Sequence, residues 1–517
     1  MSFAHAFLAG DPAATALLPD GFRRPADRAA AVVAARRPVS AALIRALEGQ
    51  MDAWGARPAQ RNALRALEGG AVAVVTGQQV GLHLGPLYTI HKAAAAVVTA
   101  RALAEETGQP CVAVFWLQTE DHDLAEIRGV GLPGATLSVA DDGRDGVSVW
   151  HRVLGPDVET LPLAEHLGHA PHAAEVVAWL GRHYRAGRAW HTAFAGALCE
   201  LLGDAGLLLL DPRDPAIAAL SAPILRASLT ADLGALAERG EALRAAGFSE
   251  QVHVRQGSPL AFFHPHGADG PRARLAPHGD GWRVAGTGQT VSTAAILHAA
   301  DRDPRVLSTS ALLRPLVQDT LLPTAMTLGG PGEIAYMAQL PPLYERLGLP
   351  MPLIGPRASL RLVDARSRSR LDALELSIAD LARPREALLA TLAERRGAPH
   401  IPDLHAALRT DVDALLTRFA SQAAPPADAL DKTRRSVHHA LLRLVERTAS
   451  ALATRDAVTA GRLDRLLGVM HPGGAPQERT LGVAWAAARV GLAALASKIL
   501  AACVPFEGAT RDVELER

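Results

Sequence analysis

The most constraining feature of this 517-residue chain is a pair of short apolar segments on either side of a helical one. Residues 71–76 (AVAVVT) and 111–117 (CVAVFWL) are apolar and rich in β-branched side chains, which is typical of buried strands. Residues 86–106 have helical character, and Gly108 and Pro110 then end the helix. A strand, a helix and a strand in such close succession predict a βαβ unit, and hence a parallel sheet covered on both faces.

Further segments extend this α/β pattern along the chain. We expect strands at 206–211, 323–330 and 351–356, with a helix at 333–347 between the last two strands. Residues 12–68 have leucines at helical spacing and are expected to form helices before the first strand. The predicted fold class is therefore α/β, with a Rossmann-like parallel-sheet core.

Two long connections within the core, residues 1–360, are predicted to be insertions. Residues 128–205 are too many for a simple crossover between neighbouring parallel strands. Residues 250–300 alternate apolar residues with Gly, Pro and His, which predicts a small antiparallel β insertion. The sheet should therefore carry two inserted connecting segments.

Residues 361–465 have a different composition, in which glycine nearly disappears and Leu, Arg, Ala and Glu dominate. Apolar residues recur there at spacings of three and four, which is typical of an antiparallel α-helical coiled-coil arm. A plain amphipathic helical bundle fits the same spacing. Residues 466–517 are expected to return to the core. The spaced residues are Leu371, Leu374, Ile378, Leu381, Leu388, Leu392, Leu430, Val437, Leu441 and Leu444.

Composition and charge exclude several classes of protein. The chain has 53 basic and 53 acidic residues, so the basic surface of a nucleic-acid binder or a polybasic membrane contact is missing. No apolar run approaches the roughly 20 residues that span a bilayer, and the N-terminus does not resemble a signal peptide. Three scattered cysteines fit a reducing compartment. We expect a cytoplasmic protein without nucleic-acid or membrane partners.

The first polar motif, TGQQVGLHLGPLYTIHK (76–92), leaves the first strand and enters a helix. Ligands bind at the carboxyl ends of strands in open α/β sheets, and a helix N-terminus favours an anion. Lys92 is one of only three lysines, so we expect it to contact a phosphate or carboxylate. The motif is neither a P-loop nor a dinucleotide fingerprint, and a tight connection without a ligand is the alternative. The candidate binding residues are Thr76, Gly77, Gln78, Gln79, Gly85, Pro86, Tyr88 and Lys92.

The second polar motif, WLQTEDHDLAE (116–126), follows the second strand. Its adjacent ionisable groups are costly to bury without partners, which favours a polar pocket or a Mg²⁺ site. The alternative for Asp123 is a helix N-cap, since Glu126 lies three residues later as in a capping box. The candidate catalytic residues are Glu120, Asp121, His122 and Asp123, and Trp116 is a candidate binding residue.

The third polar motif combines RPLVQD (314–319) with GGPGEIAY (329–336), where another strand ends in a glycine turn. Glu333 near the helix start is favoured by the helix dipole in any case. Because parallel strands present their carboxyl ends along one edge, the three motifs predict a single pocket. The sequence contains no Cys/His cluster of the kind that binds zinc, and His264 and His266 are not taken as ligands. The candidate binding residues are Gln318, Asp319, Gly329, Gly330, Glu333 and Tyr336.

Together these blocks resemble the signature blocks of the bacillithiol synthase family (BshC), in the family's order. They read TGQQ-x-GL-x-x-GPLYT-x-HK, FW-x-x-x-EDHD-x-x-E, and RPL-x-QD followed by GGP-x-E-I-A-Y. Further matches are Pro356-Arg357, which adds Arg357 to the candidate binding residues, and PQER at 476–479. His83 departs from the family, which is usually apolar there, and is left out of the site. The resemblance implies a nucleotide-binding Rossmann-like core and a coiled-coil arm used for dimerisation.

The resemblance also implies a ligase that joins cysteine to glucosaminyl-malate, completing bacillithiol. Forming an amide from a carboxylate requires activation, so ATP or another nucleotide is expected, with Mg²⁺ as a candidate ion. H-x-G-H and K-M-S-K-S are absent, so adenylation is only an analogy. The alternatives are a nucleotidyltransferase-like enzyme that acts on another amine or acyl substrate, and a non-catalytic scaffold, which the clustered acids disfavour.

Overall fold

The computed structural model describes residues 2–231, 233–255, 257–395, 401–454 and 456–516. The chain forms two compact units: residues 1–362 with 478–517, and residues 363–477. The predicted domains also include residues that lie outside the described ones, namely 1, 232, 256, 396–400, 455 and 517.

Five parallel strands form the central sheet of the first unit. In chain order they are β1 (Val72–Gln78), β2 (Cys111–Leu117), β3 (Leu208–Leu210), β4 (Thr324–Gly329) and β5 (Leu353–Pro356). Every strand pairing between them is parallel, so the predicted parallel sheet is confirmed. Nearly all the strand residues are buried, which explains why the segments are apolar throughout.

The order of the strands across the sheet is β5-β4-β1-β2-β3. The chain moves outward through β1, β2 and β3, and then returns to the other side of β1 with β4 and β5. This reversal places a topological switch point between the carboxyl ends of β1 and β4. Open α/β sheets bind their ligands in the crevice at such a point.

The helix Tyr88–Thr107 connects β1 to β2 and packs against both strands. Its sequence is rich in alanine, and most of its residues are buried. It ends at Gly108, whose positive φ of 66° suits glycine. Other helices of this unit outside the insertions are Phe3–Ala9, Pro12–Leu17, Pro25–Ala35, Ala41–Trp54, Pro58–Glu68, Leu124–Ile127, Pro215–Ser228, Gly234–Ala245, Arg314–Leu321, Val483–Val490 and Leu492–Ala502.

The single helix predicted at 333–347 is wrong. Two helices occupy this connection, Pro331–Met337 and Pro341–Leu347. Pro341 and Pro342 lack the N–H donors that a continuing helix needs, and Pro341 instead begins the second helix.

The insertion at 128–205 contains a β-hairpin and three α-helices. The hairpin pairs Gly129–Leu132 with Ala135–Ser138 in antiparallel register. The helices are Leu163–Leu167, Ala173–His183 and Trp190–Leu202.

The insertion at 250–300 is only partly the antiparallel β structure that its sequence predicts. It contains a three-stranded antiparallel sheet, but it ends in the helix Thr293–Arg302, which Ser292 caps. Ala261–Phe263 pairs outside the insertion, with Leu307–Thr309. The three strands of the insertion's own sheet are Leu275–His278, Gly281–Val284 and Thr290–Ser292.

The second unit is helical. Ile401–Ala423 and Ala427–Thr454 form a helical hairpin, in which Asp413 and Arg434 approach to 3.2 Å. A coiled-coil geometry for this hairpin stays a prediction. The other helices of this unit are Ala365–Leu374, Arg385–Arg395 and Ala457–Met470, and the short helix Gln477–Thr480 begins at its boundary.

The leucines predicted for the first half of the arm do not lie on one continuous helix. Glu375, with φ of 51°, ends the first helix of the unit, and Pro384 precedes the next. Leu371, Leu388 and Leu392 are buried within the unit. The leucine spacing here therefore comes from packing inside a small helical bundle, which is the alternative that the sequence left open.

In the described ranges, no single helix has both the length and the apolar character needed to cross a membrane. One sharply bent pair, Val483–Val490 and Leu492–Ala502, meets both criteria when its helices are joined across their 109° bend. The C-terminal segment also adds a strand, Thr510–Glu514, that pairs with Ser359–Val363.

Candidate active site

A cavity of about 730 Å³ lies at the switch point of the sheet. Predicted residues from all three polar motifs line it, so segments that are far apart in the chain meet there. Trp116, near the end of β2, lines it together with Glu120 and Asp121, and residues 251–255 and 258–262 contribute another wall. The predicted residues that line the cavity are Gln78, Gln79, Tyr88, Lys92, Trp116, Glu120, Asp121, Gly330, Glu333, Tyr336 and Arg357.

Three predicted residues stand behind the wall of the cavity and hold the strand ends together. The Thr76 hydroxyl donates to the Leu328 carbonyl at 3.0 Å, which ties β1 to β4. A Cβ at Gly77 would lie 2.8 Å from the Trp116 carbonyl oxygen, so only glycine fits there. Gly329 accepts a backbone hydrogen bond at 3.1 Å from the residue after β5.

The turn at 81–86 is also buried behind the cavity. Gly85 has a φ of 66°, and Pro86 forms a β-bridge with Gly482. The His83 ring packs edge-on against Tyr184, with 5.0 Å between ring centroids. Burial lowers the pKa of His83 to about 4, so its ring is neutral at neutral pH. His83, which departs from the family motif, is therefore a neutral core residue.

Lys92 reaches back along its helix to the end of β1. Its ammonium donates to the Gly77 carbonyl at 2.8 Å and to Gln78 Oε1 at 3.0 Å, and pairs with Glu333 Oε2 at 2.5 Å. Burial lowers the pKa of Lys92, whereas the pKa of Glu333 is lowered by the lysine charge although burial opposes this. An ammonium has three donors, so the predicted anion contact would require one of these bonds to break.

Asp121 is the most heavily paired carboxylate of the acidic cluster. Gln79 Nε2 donates to Asp121 at 2.6 Å and to Glu126 at 2.7 Å, and Arg272 Nη2 donates to Asp121 at 2.9 Å. Burial alone would raise the pKa of Asp121, but the contact with His122, the charge of Arg272 and the Gln79 hydrogen bond hold it well below its usual range. The carboxylate is therefore ionised at neutral pH.

Of the other members of this cluster, His122 shares Arg272 with Asp121, whereas Glu120 and Asp123 have separate partners. Glu120 is buried and accepts from the Thr309 backbone N–H at 3.3 Å and from the Thr309 hydroxyl. His122 Nδ1 lies 2.7 Å from Arg272 Nη2, and because a guanidinium can only donate, this nitrogen is the acceptor. Asp123 caps the short helix that follows it, accepting a backbone N–H at 3.1 Å. His122 and Asp123 do not line the cavity.

Gln318 and Asp319 form a buried layer beneath the cavity wall. Gln318 accepts from Arg314 at 2.8 Å and donates to Asp319 at 2.8 Å. Arg314 also donates to the Tyr336 hydroxyl at 2.9 Å, and both of these side chains line the cavity. Tyr344 donates to the other oxygen of Asp319, whose pKa burial raises. The pair therefore supports Arg314 and Tyr336 from behind.

Arg357 is held by Glu478, which comes from the C-terminal segment. Its guanidinium donates to the two Glu478 oxygens at 2.9 and 2.6 Å, and its Cζ lies 5.6 Å from the Tyr88 ring centroid. Glu478 also contacts His91 Nδ1 at 3.0 Å and accepts from Ser359 at 3.2 Å. Burial opposes ionisation, but the His91 and Arg357 contacts hold the pKa of Glu478 at about 2.

Comparison with known proteins shows what kind of chain builds this site. A family model described as "Bacillithiol biosynthesis BshC, N-terminal Rossmann-like domain" matches residues 5–358. This chain belongs to the BshC family. The match covers the five strands of the sheet and the three polar motifs, so the family resemblance predicted from the sequence is confirmed.

Curated BshC relatives align with most of the chain. Proteins from Salinibacter ruber and Koribacter versatilis are 32% and 34% identical to it, over 89% and 86% of this chain and 86% and 85% of their own lengths. One from Thermus thermophilus is 32% identical, over 88% of this chain and 91% of its own. Each is named "Putative cysteine ligase BshC".

Reasoning from the sequence missed most of the basic side chains at this BshC cavity. Arg272 and Arg274 are two residues apart in an extended segment, so they face the same way, and this spacing was the available signal. Arg272 also donates to the Glu120 carbonyl at 3.2 Å and packs over Phe262 at 4.5 Å. Other unassigned lining residues include Gln118, Glu126, Arg255, Arg314 and Arg479.

The pairing of Lys92 with Glu333 predicts a strong energetic coupling. Replacing Lys92 by Met leaves the Glu333 carboxylate without its cation, so we expect a loss of about 3 kcal/mol in the free energy of unfolding. Glu333→Gln should also destabilise the protein. In urea denaturation, the double variant should lose less free energy of unfolding than the two single variants lose together. The difference should be about 1 kcal/mol or more.

Lys432→Met is the matched control, because Lys432 is exposed on the second unit. It should change the free energy of unfolding by less than about 0.5 kcal/mol. Strictly additive costs for Lys92→Met and Glu333→Gln would contradict the coupling.

Glu478 predicts a specific dependence of stability on pH. Its pKa falls from 4.5 to about 2 on folding, so its stabilising effect is complete above pH 4.5 and is lost as the pH falls towards 2. The depression corresponds to about 3 kcal/mol. In urea denaturation at a series of pH values, Glu478→Gln should lack this part of the acid destabilisation. If the free energy of unfolding of Glu478→Gln and of the unmodified protein changed with pH in parallel, this prediction would be wrong.

Proposed function

We propose that this chain joins cysteine to glucosaminyl-malate through an amide bond, in the last step of bacillithiol biosynthesis. The observation that carries the proposal is that the motif blocks of a BshC family member surround one cavity at the switch point of its sheet. The names of its relatives, which call them cysteine ligases, support the same activity. The substrates are then small molecules.

In the proposed reaction, the nitrogen of the sugar amine bonds to the carboxyl carbon of cysteine. One C–O bond of that carboxyl breaks, and its oxygen leaves with the activating group. The acceptor is bound as an ammonium, so it releases one proton to solvent before the nitrogen attacks and a second proton as the amide forms. Asp121 suits the task of holding the ammonium of the acceptor, because its low pKa makes it a poor proton acceptor but a strong anionic partner. We keep Glu120, His122 and Asp123 as proposed members of the same catalytic cluster.

We also propose a nucleotide, ATP or a close relative, as the source of activation, with Mg²⁺ as its ion. Within the described ranges, no group of three His, Cys, Asp or Glu side chains could hold a metal ion. Mg²⁺ nevertheless needs only one or two protein carboxylates when phosphates complete its shell. Glu126 fits that role, because its carboxylate lines the cavity and its only hydrogen bond from a side chain among the described residues comes from Gln79 at 2.7 Å.

The test is direct product formation. The purified protein is incubated with L-cysteine, glucosaminyl-malate, ATP and Mg²⁺, and mass spectrometry should detect the amide conjugate. Asp121→Asn should reduce the initial rate roughly tenfold or more, as expected for losing a charge-assisted contact of about 1.5–3 kcal/mol. Conjugates formed only with another amine or acyl substrate would favour the nucleotidyltransferase-like alternative.

Asp52→Asn is the matched control, because Asp52 is exposed and pairs only at the surface with Arg61. Its rate should equal that of the unmodified protein, and the melting temperature of each variant is measured in parallel. If Asp121→Asn melts early while its folded fraction turns over normally, Asp121 has only a structural role.

We further propose a homodimer that forms through the helical hairpin Ile401–Ala423 and Ala427–Thr454, with coiled-coil packing. What supports this is an apolar side of the hairpin that the described chain leaves uncovered. Leucines and a phenylalanine recur there at spacings of four and seven, which places them on one side of the first helix. The exposed residues of the first helix are Leu404 (47%), Leu408 (40%), Leu415 (52%) and Phe419 (55%), and the second helix also exposes Leu442 (41%) and Leu444 (56%).

The dimer proposal predicts that carboxylates introduced on this apolar side of the hairpin lower the mass of the protein in solution from dimer to monomer. The double variant Leu415→Glu/Phe419→Glu should run as a monomer in light scattering, because buried carboxylates oppose association. Val33→Glu, at an apolar residue of the first unit that is 67% exposed, should remain a dimer. A dimer that survives the double variant would contradict the proposal.

We propose a cytoplasmic location, without nucleic-acid or membrane partners. The balanced charge of the chain and the biosynthetic role of its family support this. Its three cysteines, Cys111, Cys199 and Cys503, are also free thiols, as expected in a reducing compartment.

A further inference from the structure

Most basic side chains deep in the cavity are already neutralised by the protein itself. Lys92 pairs with Glu333 at 2.5 Å, and Arg272 pairs with Asp121 at 2.9 Å. Arg357 pairs with Glu478 as well, but Glu478 and a backbone carbonyl take only its two terminal nitrogens. Its Nε is left without an acceptor among the described residues.

Arg479 follows directly after the residue that anchors Arg357. Its side chain lines the cavity and is exposed, and none of the hydrogen bonds or ion pairs of the described residues involves its guanidinium. Five groups hold the Glu478 carboxylate, so the backbone that carries Arg479 is fixed at this point. The cavity thus has an unpaired cation on a firmly held segment.

Tyr88 lines the same cavity and lies within the electrostatic influence of both arginines. The Arg357 Cζ is 5.6 Å from its ring centroid, and the charges of both arginines oppose the rise in the Tyr88 pKa that burial causes. The Tyr88 oxygen accepts from Gln78 at 3.0 Å, which leaves its O–H free to donate. Tyr88, Arg357 and Arg479 therefore present three hydrogen-bond donors and a positive charge at one corner.

Two backbone N–H groups beside Tyr88, at the N-terminus of the helix Tyr88–Thr107, are already used within the protein. The Leu87 N–H already donates to the Leu481 carbonyl at 2.8 Å, and the Thr89 N–H donates to Pro86 at 3.0 Å. These two N–H groups are therefore not available to an anion, whereas the side chains of Tyr88, Arg357 and Arg479 are.

We propose that Tyr88, Arg357 and Arg479 form an oxyanion subsite, with Arg479 as the main charged contact. The ligand is a carboxylate or a phosphate. The proposed function supplies its possible sources, namely the malyl group of the sugar substrate, the carboxylate of cysteine, and the phosphates of a nucleotide. Glu478 acts as a positioning residue, because it holds Arg357 and the backbone that carries Arg479.

Calorimetric titration of the full chain with L-malate, with L-cysteine and with metal-free ATP tests the subsite. Arg479→Gln should weaken at least one of these ligands roughly tenfold or more, since a charge-assisted hydrogen bond is lost. The weakened ligand identifies the source of the oxyanion. Arg45→Gln is the charge-matched control, because Arg45 is exposed on a helix that does not line the cavity.

Equal affinities for Arg479→Gln and the unmodified protein would overturn the proposal, as would an equal loss in Arg45→Gln. Failure of all three ligands to bind the unmodified protein would also overturn it. The outcome is separate from the proposed function. Conjugate formation by the unmodified protein, together with unchanged binding in Arg479→Gln, removes the subsite and leaves the ligase activity standing. If Arg479→Gln binds a ligand more weakly but the unmodified protein forms no conjugate, the subsite stands and the proposed ligase activity is contradicted.

Discussion

The parallel pairing of β1 on both of its edges is the constraint on which the rest of this structure depends. β1 lies between β2 and β4, and its end is tied across the switch point by the Thr76 hydroxyl. Lys92 donates back to the Gly77 carbonyl, so the helix that follows is fixed to the same strand end. A shift of β1 would move both the loop and the helix that line the cavity.

Charge pairing is the second condition for the cavity, because an isolated charge at this depth would be costly. Each pair also joins distant parts of the chain. Lys92 with Glu333 joins the segments after β1 and β4, whereas Arg272 with Asp121 joins the second insertion to the end of β2. Glu478 brings in the C-terminal segment through Arg357. The interactions that build the candidate site therefore also hold the first unit together.

Features that depend on neighbouring residues in the sequence were predicted more accurately than features that depend on distant contacts. Apolar runs bounded by glycine or proline located all five strands to within about two residues, because burial on both faces demands such runs. The helix predicted at 333–347 failed at Pro341, where a backbone donor is missing. Residues 120–123 were grouped because their ionisable side chains are adjacent in the sequence. Glu120 and Asp121 line the cavity, whereas His122 and Asp123 do not, and the catalytic role of the cluster stays a prediction.

By itself, the sequence determined the α/β class, the strands, the polar motifs at the strand ends and the family resemblance. These follow from composition, periodicity and short motifs, which are local properties of the chain. Only the tertiary structure decided the strand order, and with it the switch point between β1 and β4. It also decided that Lys92 pairs with Glu333, and that Arg272 and Arg479 reach the cavity. The physical reason is that each of these depends on contacts between residues far apart in the chain, which no local pattern encodes.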